Sequence, residues 1–373
     1  MRERSHGTCA LRIEIRPHRV FVFDDVPAGA VRDFVLNVSG FASGTKADKE
    51  PLRGVAMPPL EDFDRERVKV DESKRTKIPF PEAQNSRTPG AVCPVTTSFF
   101  RDRSVLVTGA SSGIGEELAW QLAQAGAKLT LAARRTELLD ALAQRIVSSG
   151  KAAPAVAACD VSKDGDMERT VAAAVGRWSK LDVVVANAGF GVVGTFASLT
   201  LDDYRRQFET NVFGVLRTIY AALPEIEKSR GNVVIIGSVA GWVASPGASA
   251  YAMSKFAVRA LANAIAPELR LAGVTVTLIS PGFVTSNIRR VDNQGRLHAE
   301  AADPVPRALV VSTDKAVREM VRAIAGGKRE AIITGHGKAL VAAARFLPWV
   351  LRVAERRIAA RGGYRSEPSA EGQ

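Results

Sequence analysis

A phenol and an ammonium group stand one helical turn apart in the stretch YAMSK, where Tyr251 precedes Lys255 by four residues. Side chains at this spacing share one face of a helix, so both groups would point into the same space. An ammonium group lowers the pKa of a neighbouring phenol because it favours the phenolate. Such a phenol can act as a general acid or base. The pair also fits an ordinary helix surface, so the surrounding sequence must decide.

A glycine-rich turn provides the first part of that context. Gly109, Gly113 and Gly115 follow a short apolar run and open a helical pattern in VLVTGASSGIGEELAWQLA. Glycines allow a tight turn and a close approach of the backbone to a pyrophosphate. A helix N-terminus adds free N–H groups and the positive end of its dipole. Because a predicted strand precedes this turn and a predicted helix follows it, the sequence predicts a dinucleotide-binding site. The turn also contains Ser111, Ser112 and Ile114.

The end of the next strand indicates which dinucleotide is bound. An acidic residue near this point bonds the ribose 2′-hydroxyl in NAD sites, but the sequence LTLAARRTELL has Ala133 there, followed by Arg134 and Arg135. An arginine can instead pair with a 2′-phosphate through charge-assisted hydrogen bonds. The sequence thus favours NADP(H), with Arg134 as the phosphate ligand and the role of Arg135 left open.

Predicted strands and helices, which must position these residues, alternate along the sequence. Between residues 98 and 337, short runs of Val, Ile and Leu alternate with longer helical patterns. This alternation predicts right-handed βαβ units and an α/β, doubly wound, mostly parallel seven-stranded sheet, a Rossmann fold. The predicted strands are Ser104–Thr108, Lys128–Ala133, Ala155–Cys159, Asp182–Ala186, Asn232–Ser238, Val274–Ile279 and Ala331–Thr334.

The two ends of the chain differ from this catalytic domain. Residues 1–97 are rich in proline, glycine and mixed charge, which predicts an irregular, disordered extension. Within it, residues 11–23 alternate apolar and polar side chains, so a small hairpin is the alternative. Residues 338–373 predict a basic amphipathic helical segment interrupted at Pro348, followed by a free tail. Its apolar face is predicted at Leu351, Ala354 and Ile358, with Arg352, Arg356 and Arg357 facing away.

Composition limits the classes of partner. The chain has 373 residues, 46% of them apolar, a formal charge of +12 and three widely spaced cysteines. Sparse, odd-numbered cysteines fit a reducing compartment, and the positive charge is scattered without the motifs of nucleic-acid binding. No apolar run has the roughly 20 residues of a membrane span. We therefore expect a cytoplasmic protein, whose C-terminal segment packs on its own domain or a partner, or contacts an anionic membrane.

Four motifs in sequence order resemble those of the short-chain dehydrogenase/reductase family: TGASSGIG, ANAG at 186–189, YAMSK, and PGFV at 281–284. The resemblance covers residues 100–335 and implies an enzyme acting on CH–OH donors. It implies that Tyr251 is the general acid/base and that Lys255 lowers its pKa and binds the nicotinamide ribose. Ser238, thirteen residues before Tyr251, would hold the substrate oxygen, and Asn211 would take part in a proton relay.

The same resemblance implies further contacts to the cofactor. Asp160 and Val161 would contact the adenine ring, and a hydroxyl after PGFV, from Ser286 or its neighbour Thr285, would bond the nicotinamide carboxamide. The chain departs from the family's frequent NNAG in having Ala186 first. The remaining implied cofactor-binding residues are Asn187, Ala188, Gly189, Pro281 and Gly282.

The predicted substrate wall is apolar, which favours a hydrophobic alcohol or ketone, such as a steroid, retinoid, fatty-acyl or aromatic carbonyl compound. Two alternatives remain: an NAD(H)-dependent enzyme, and a regulator that binds the cofactor without turnover. The family resemblance also implies a homo-oligomer. The wall is predicted from Phe190, Val192, Val193, Trp242, Val243 and Phe283.

Overall fold

The computed structural model describes residues 98–286 and 309–360, residues 288, 292–293 and 305–306 between them, and three short strands at residues 12–16, 19–23 and 36–37. Side chains are described from residue 98 onward, except for residues 350, 354–355 and 358–360. The chain divides into two units, Met1–Ala83 and Gln84–Gln373.

The first unit contains the hairpin that the sequence pattern left open as an alternative to disorder. Strand β1 (Arg12–Arg16) pairs antiparallel with β2 (Arg19–Phe23), and the two-residue β3 (Leu36–Asn37) pairs with β2. The register sets Ile13 opposite Val22. The prediction for the other residues before 98 lies outside the described residues.

A sheet of seven parallel strands forms the second unit, in the order β10-β9-β8-β7-β4-β5-β6. From the central strand β4 the chain adds β5 and β6 on one side of the sheet. It then returns to the centre and adds β7, β8, β9 and β10 on the other side. This order confirms the predicted doubly wound sheet and puts the topological switch point between β4 and β7. The strands are β4 (Ser104–Thr108), β5 (Lys128–Ala133), β6 (Ala155–Ala158), β7 (Val183–Ala186), β8 (Asn232–Ile236), β9 (Thr275–Pro281) and β10 (Glu330–Ile333).

Helices connect the strands and cover both faces of the sheet. A π-helical turn at Glu209–Phe213 precedes one of them, and a 3₁₀ turn at Val239–Gly241 precedes another. The α-helices are α1 (Gly113–Gln124), α2 (Thr136–Ser148), α3 (Asp166–Trp178), α4 (Leu201–Phe208), α5 (Gly214–Ser229), α6 (Ser249–Arg270), α7 (Thr313–Ala325), α8 (Gly335–Phe346) and α9 (Pro348–Ala360).

Alternation along the central strands builds two hydrophobic cores. In β4, Val105 and Val107 pack into the core beneath α1, α2 and α7, whereas Leu106 packs into the opposite core beneath α3, α5 and α6. Successive side chains of a strand point to opposite faces. Both faces of β4 are covered, which explains why its three central residues, 105–107, are all apolar.

The C-terminal segment forms two helices that are separated at Leu347, as the position of Pro348 predicts. Val341 of α8 is buried, while Phe346, Trp349 and Val353 are exposed. Arg352 is exposed and Leu351 is partly buried. Among the residues that the structure describes, no helix is both long and apolar enough to cross a membrane. What the exposed side of α9 contacts stays a prediction.

Close contact between α1 and the turn before it depends on Gly115. A Cβ at this position would lie 2.2 Å from the Gly109 carbonyl oxygen and 2.5 Å from Asn187 Nδ2. These distances are far below van der Waals contact, so no side chain fits unless the backbone moves. In contrast, the would-be Cβ of Gly176 in α3 meets nothing within 4 Å beyond its chain neighbours and the adjacent backbone of its own helix.

These two helical glycines predict opposite effects of one substitution. We expect Gly115→Ala to lower the free energy of unfolding by about 1–3 kcal/mol, because it overpacks the turn. We expect Gly176→Ala to raise it by about 0.5–1 kcal/mol, because alanine loses less backbone entropy in a helix. Urea unfolding of the purified variants measures both. Equal effects of the two substitutions would contradict this account of the turn.

Candidate active site

The glycine turn lies at the carboxyl end of β4 and leads into α1. Gly109 has a φ of +65°, and a Cβ there would lie 2.8 Å from the Ala188 Cα, so the turn requires glycine for both conformation and space. The N-cap residue Ser112 is extended, and its side chain makes no capping hydrogen bond. The first-turn N–H groups of α1 are therefore not capped by this side chain and suit an anion.

One hydroxyl joins this turn to the next strand across the switch point. Thr108 Oγ1 donates to the Val185 carbonyl oxygen at 3.1 Å and accepts from the backbone N–H groups of Asn187 and Ala188 at 3.0 and 3.1 Å. The Asn187 side chain returns a bond to the Thr108 carbonyl oxygen at 2.8 Å. Thr108 is not among the predicted site residues, although it ends the first strand of the predicted sheet and begins the TGASSGIG motif.

The two arginines after β5 interact with different residues. Arg135 Nη2 donates to Ser111 Oγ at 3.2 Å and to Ser112 Oγ at 3.0 Å. Arg134 acts electrostatically on Asp160, which follows β6. Burial raises the pKa of Asp160, but hydrogen bonds from Ser162 and the charges of Arg134 and Lys163 outweigh burial, so the net shift is downward. Both arginines are exposed.

Asn211 lies in the π-helical turn and is almost completely buried. Its Oδ1 accepts from Phe190 N at 3.1 Å, and its Nδ2 donates to Phe190 O at 3.0 Å and to Ser254 Oγ at 3.2 Å. The side chain therefore connects the loop after β7 with α6. Gln207, which sequence reasoning missed, assists it by accepting from Val192 N at 2.6 Å. The proton-relay role of Asn211 stays a prediction.

The Tyr251 and Lys255 side chains lie on one face of α6. Lys255 Nζ is 5.8 Å from the centroid of the Tyr251 ring and donates to the Ile236 carbonyl oxygen, at the end of β8, at 2.9 Å. Burial of the ammonium group lowers the pKa of Lys255 from 10.5 to about 8. The Tyr251 ring also borders the loop after β7, since a Cβ at Gly191 would contact its Cδ2 at 3.7 Å.

Ser238 and the turn after β9 complete the carboxyl edge. Ser238 Oγ accepts from Ala240 N at 3.1 Å, which orients the hydroxyl at the start of the 3₁₀ turn. Ser286 Cβ would lie 3.4 Å from a Cβ at Gly113, so it borders the glycine turn. Thr285 Oγ1 instead faces the Val311 carbonyl oxygen at 3.4 Å. Which of the two hydroxyls bonds the cofactor stays a prediction.

The predicted substrate wall is only partly exposed. Val193 and Phe283 are 59% and 39% exposed and available to a ligand. Val192, however, is fully buried and belongs to the interior, so including it in the wall was wrong. The Trp242 ring is covered by Arg259, whose Cζ lies 3.3 Å from the ring centroid, and its Nε1 donates to Ser280 Oγ at 3.3 Å. Phe190 and Val243 are partly buried.

A parallel sheet with a glycine turn at its switch point, and a tyrosine–lysine pair at the same edge, defines a nucleotide-binding oxidoreductase. The family model described as short chain dehydrogenase matches residues 103–297, more than half of the 373-residue chain. The chain therefore belongs to the short-chain dehydrogenase/reductase family.

Known proteins similar to the chain agree with this assignment. It is 33% identical to mouse dehydrogenase/reductase SDR family member 7B over 195 residues, which are 51% of this chain and 60% of the mouse protein. It is also 33% identical to 11-beta-hydroxysteroid dehydrogenase A of Sesamum indicum over 235 residues, covering 60% of this chain and 66% of that protein. This chain therefore spans less than two thirds of the length of each of these two relatives.

A solved structure shows the same fold. The alcohol dehydrogenase of the archaeon Thermococcus sibiricus, complexed with 5-hydroxy-NADP, superposes with a TM-score of 0.54 at 26% identity. The superposition covers 62% of this chain and 95% of the archaeal chain. The shared fold therefore includes nearly the whole length of the archaeal protein.

The buried ammonium group predicts a pH-dependent stability. Between about pH 8 and pH 10.5 the unfolded chain binds more protons at Lys255 than the folded protein does, so this residue makes stability rise with pH in that window. Lys255→Met removes the contribution. We expect the stability of Lys255→Met minus that of wild type to fall by about 3 kcal/mol as pH rises through the window.

Urea unfolding of both proteins at several pH values measures this difference. Lys228→Met is the matched control for replacement of a lysine by methionine, because the Lys228 side chain is 70% exposed on α5. A difference for Lys255→Met that does not change across the window would contradict the assigned burial effect.

Proposed function

We propose that the protein is an NADP(H)-dependent oxidoreductase that interconverts a hydrophobic carbonyl compound and its alcohol. The observation that carries the proposal is the buried Lys255 ammonium beside the Tyr251 ring, at the sheet edge where the glycine turn also lies. A cationic group that has lost its water favours ionisation of a nearby phenol more strongly than a solvated one does. Tyr251 is thus suited to exchange a proton with a substrate oxygen.

Ser238 and Lys255 would support that proton transfer in different ways. A hydroxyl that accepts from Ala240 N still has its own proton, which Ser238 can donate to the substrate oxygen. Lys255 Nζ has three protons, of which one is used by Ile236 O. The others are available to Tyr251 and to ribose hydroxyls. Asn211 would take part in a proton relay, and it also holds the loop that borders Tyr251.

The residues around the glycine turn fit a bound dinucleotide. When bound, NADP(H) supplies the hydride. The first turn of α1 would hold the pyrophosphate, Asp160 and Val161 the adenine, and the turn after β9 the nicotinamide. Gly113, with a φ of +61° and only Ser286 within 4 Å of its would-be Cβ, leaves the space that such a ligand needs. The other proposed contacts are Gly109, Ser111, Ser112, Ile114, Gly115, Asn187, Ala188, Gly189, Pro281 and Gly282.

A hydrophobic substrate is supported by the exposed Val193 and Phe283. The name of the Sesamum relative refers to a hydroxysteroid, which is a compound of the proposed class. A panel of steroid, fatty-acyl and aromatic ketones with NADPH tests the substrate class, and a preference for sugars or other polar carbonyl compounds would overturn it.

Replacement of Arg134 tests the preference for NADP(H). Loss of a charge-assisted bond to the 2′-phosphate should weaken NADPH binding about tenfold or more and leave NADH binding nearly unchanged. Arg135→Ala, made in parallel, shows whether the arginine on Ser111 and Ser112 shares the phosphate. Fluorescence titration measures the affinity of each variant for NADPH and for NADH. The matched control is Arg177→Ala, since Arg177 stacks on Trp178 in α3.

If neither variant at 134 or 135 changes the ratio of NADPH to NADH affinity, the proposed 2′-phosphate site is wrong. An equal loss of affinity for NADPH and NADH would likewise contradict the proposed site, because NADH has no 2′-phosphate. A wild-type protein that prefers NADH would support the alternative of an NAD(H)-dependent enzyme.

Replacement of Tyr251 by phenylalanine tests the proton transfer. We expect turnover of a ketone to fall by about 10²- to 10⁴-fold, because the general acid is removed, while NADPH still binds. Stopped-flow or steady-state absorbance of NADPH measures turnover, and fluorescence titration measures binding. Tyr220→Phe is the control, since Tyr220 is 71% exposed on α5.

Retention of activity in Tyr251→Phe would refute the role of this residue. Wild-type protein that binds NADPH but converts no member of a broad ketone and alcohol panel would support the alternative of a cofactor-binding regulator.

A further inference from the structure

The turn after β9 is held from outside the recognised motifs by His336, in the first turn of α8. Phe283 N donates to His336 Nε2 at 2.9 Å. The two rings are stacked, with centroids 5.5 Å apart and an interplanar angle of 17°. A Cβ at Gly282 would lie 2.5 Å from His336 Nε2, so the imidazole fills the space beside this glycine. One side chain thus contacts both the backbone and the aromatic ring of the turn.

His336 is itself held by an unusual residue at the end of β10. Thr334 is buried, and its φ of +82° lies in a region that β-branched residues rarely adopt. Its Oγ1 accepts from Gly337 N at 3.2 Å and lies 3.1 Å from His336 Nε2. Such a conformation persists only where the surroundings fix it. The strand-to-helix junction therefore has one defined shape that presents His336 to the turn.

The same junction touches the segment that follows the proposed substrate-binding serine. A Cβ at Gly337 would lie 3.0 Å from Val239 Cγ2, and Val239 comes directly after Ser238. Gly282 N donates to the Ile333 carbonyl oxygen at 3.2 Å, which ties the turn to β10 as well. The start of α8 thus borders two parts of the proposed site that are far apart in sequence.

We propose that His336 is a positioning residue for the reaction. Its Nε2 fixes the Phe283 N–H and its ring fixes the Phe283 side chain, and together they set the place of the 281–286 turn against cofactor and substrate. Nε2 can accept this bond only as the neutral tautomer protonated at Nδ1. The inference rests on the proposed function for its catalytic consequence, but the His336–Phe283 contact can be tested without turnover.

Three substitutions separate the two contacts. His336→Gln can retain an acceptor near the position of Nε2, whereas His336→Phe retains a stacking ring without an acceptor. His336→Ala removes both. Lys338→Ala is the matched control, because Lys338 lies in the same part of α8 with a side chain that is 62% exposed.

Hydrogen–deuterium exchange of the peptide that spans residues 281–286 provides the first readout. We expect the Phe283 amide to exchange about tenfold faster or more in His336→Phe and His336→Ala, as loss of one hydrogen bond implies. It should stay within about threefold of wild type in His336→Gln and Lys338→Ala. An unchanged amide in His336→Phe would overturn the proposal.

Steady-state kinetics with NADPH and the best ketone provide the second readout. We expect His336→Phe and His336→Ala to raise KM for the ketone or NADPH about tenfold, with a smaller change in kcat, and His336→Gln to restore KM. A uniform loss in all three variants, accompanied by faster exchange throughout the domain, would indicate a merely structural role and overturn the proposal. Absence of turnover in the wild-type protein would instead contradict the proposed function. The exchange measurement would still show whether His336 holds the Phe283 amide.

Discussion

At the switch point of the sheet, two neighbouring strands end side by side and their chains leave in different directions. β4 continues into the glycine turn and α1, and β7 continues into the loop that borders Tyr251. The backbone groups exposed by this divergence must find partners, because buried polar groups without them are costly. Thr108 Oγ1 supplies three such partners at once, and Asn187 Nδ2 supplies the return bond. This small network sets the distance between the two turns, on which the proposed cofactor site depends.

A second constraint acts at the other side of the crevice. The ammonium group of Lys255 is buried at an energetic cost, and the Ile236 carbonyl oxygen, at the end of a central strand, offsets only part of it. The 3₁₀ turn after Ser238 packs closely on α6, since a Cβ at Gly241 would lie 2.6 Å from the Lys255 carbonyl oxygen. The position of the charge is therefore determined by sheet, turn and helix together. Residues held at such a cost are common at functional sites.

Strand prediction succeeded where burial and sequence agree and failed at strand ends. Val105–Val107 and Leu129–Leu131 are buried on both faces, and their predominantly apolar sequences, with Thr130 as the polar member, marked both strands correctly. At the carboxyl ends, tertiary contacts decide instead. Thr334 was predicted as strand but caps α8 with a positive φ. Val192 was predicted to face a ligand but is interior, and its backbone N–H donates to the buried Gln207 side chain. The hairpin at β1 and β2 was disfavoured because local pattern alone says little about cross-strand pairing.

The sequence by itself determined the family, the order of the strands along the chain, and the types and spacing of the chemical groups. These are local or periodic properties, and they can be read without knowing what touches what. Only the tertiary structure decided which groups meet. Asn211 reaches the Phe190 loop, Arg135 reaches Ser111 and Ser112, and His336 reaches Phe283 across 53 residues of chain. Such contacts depend on how the helices pack on a twisted sheet. The spacing of residues within one segment of the sequence does not contain that information.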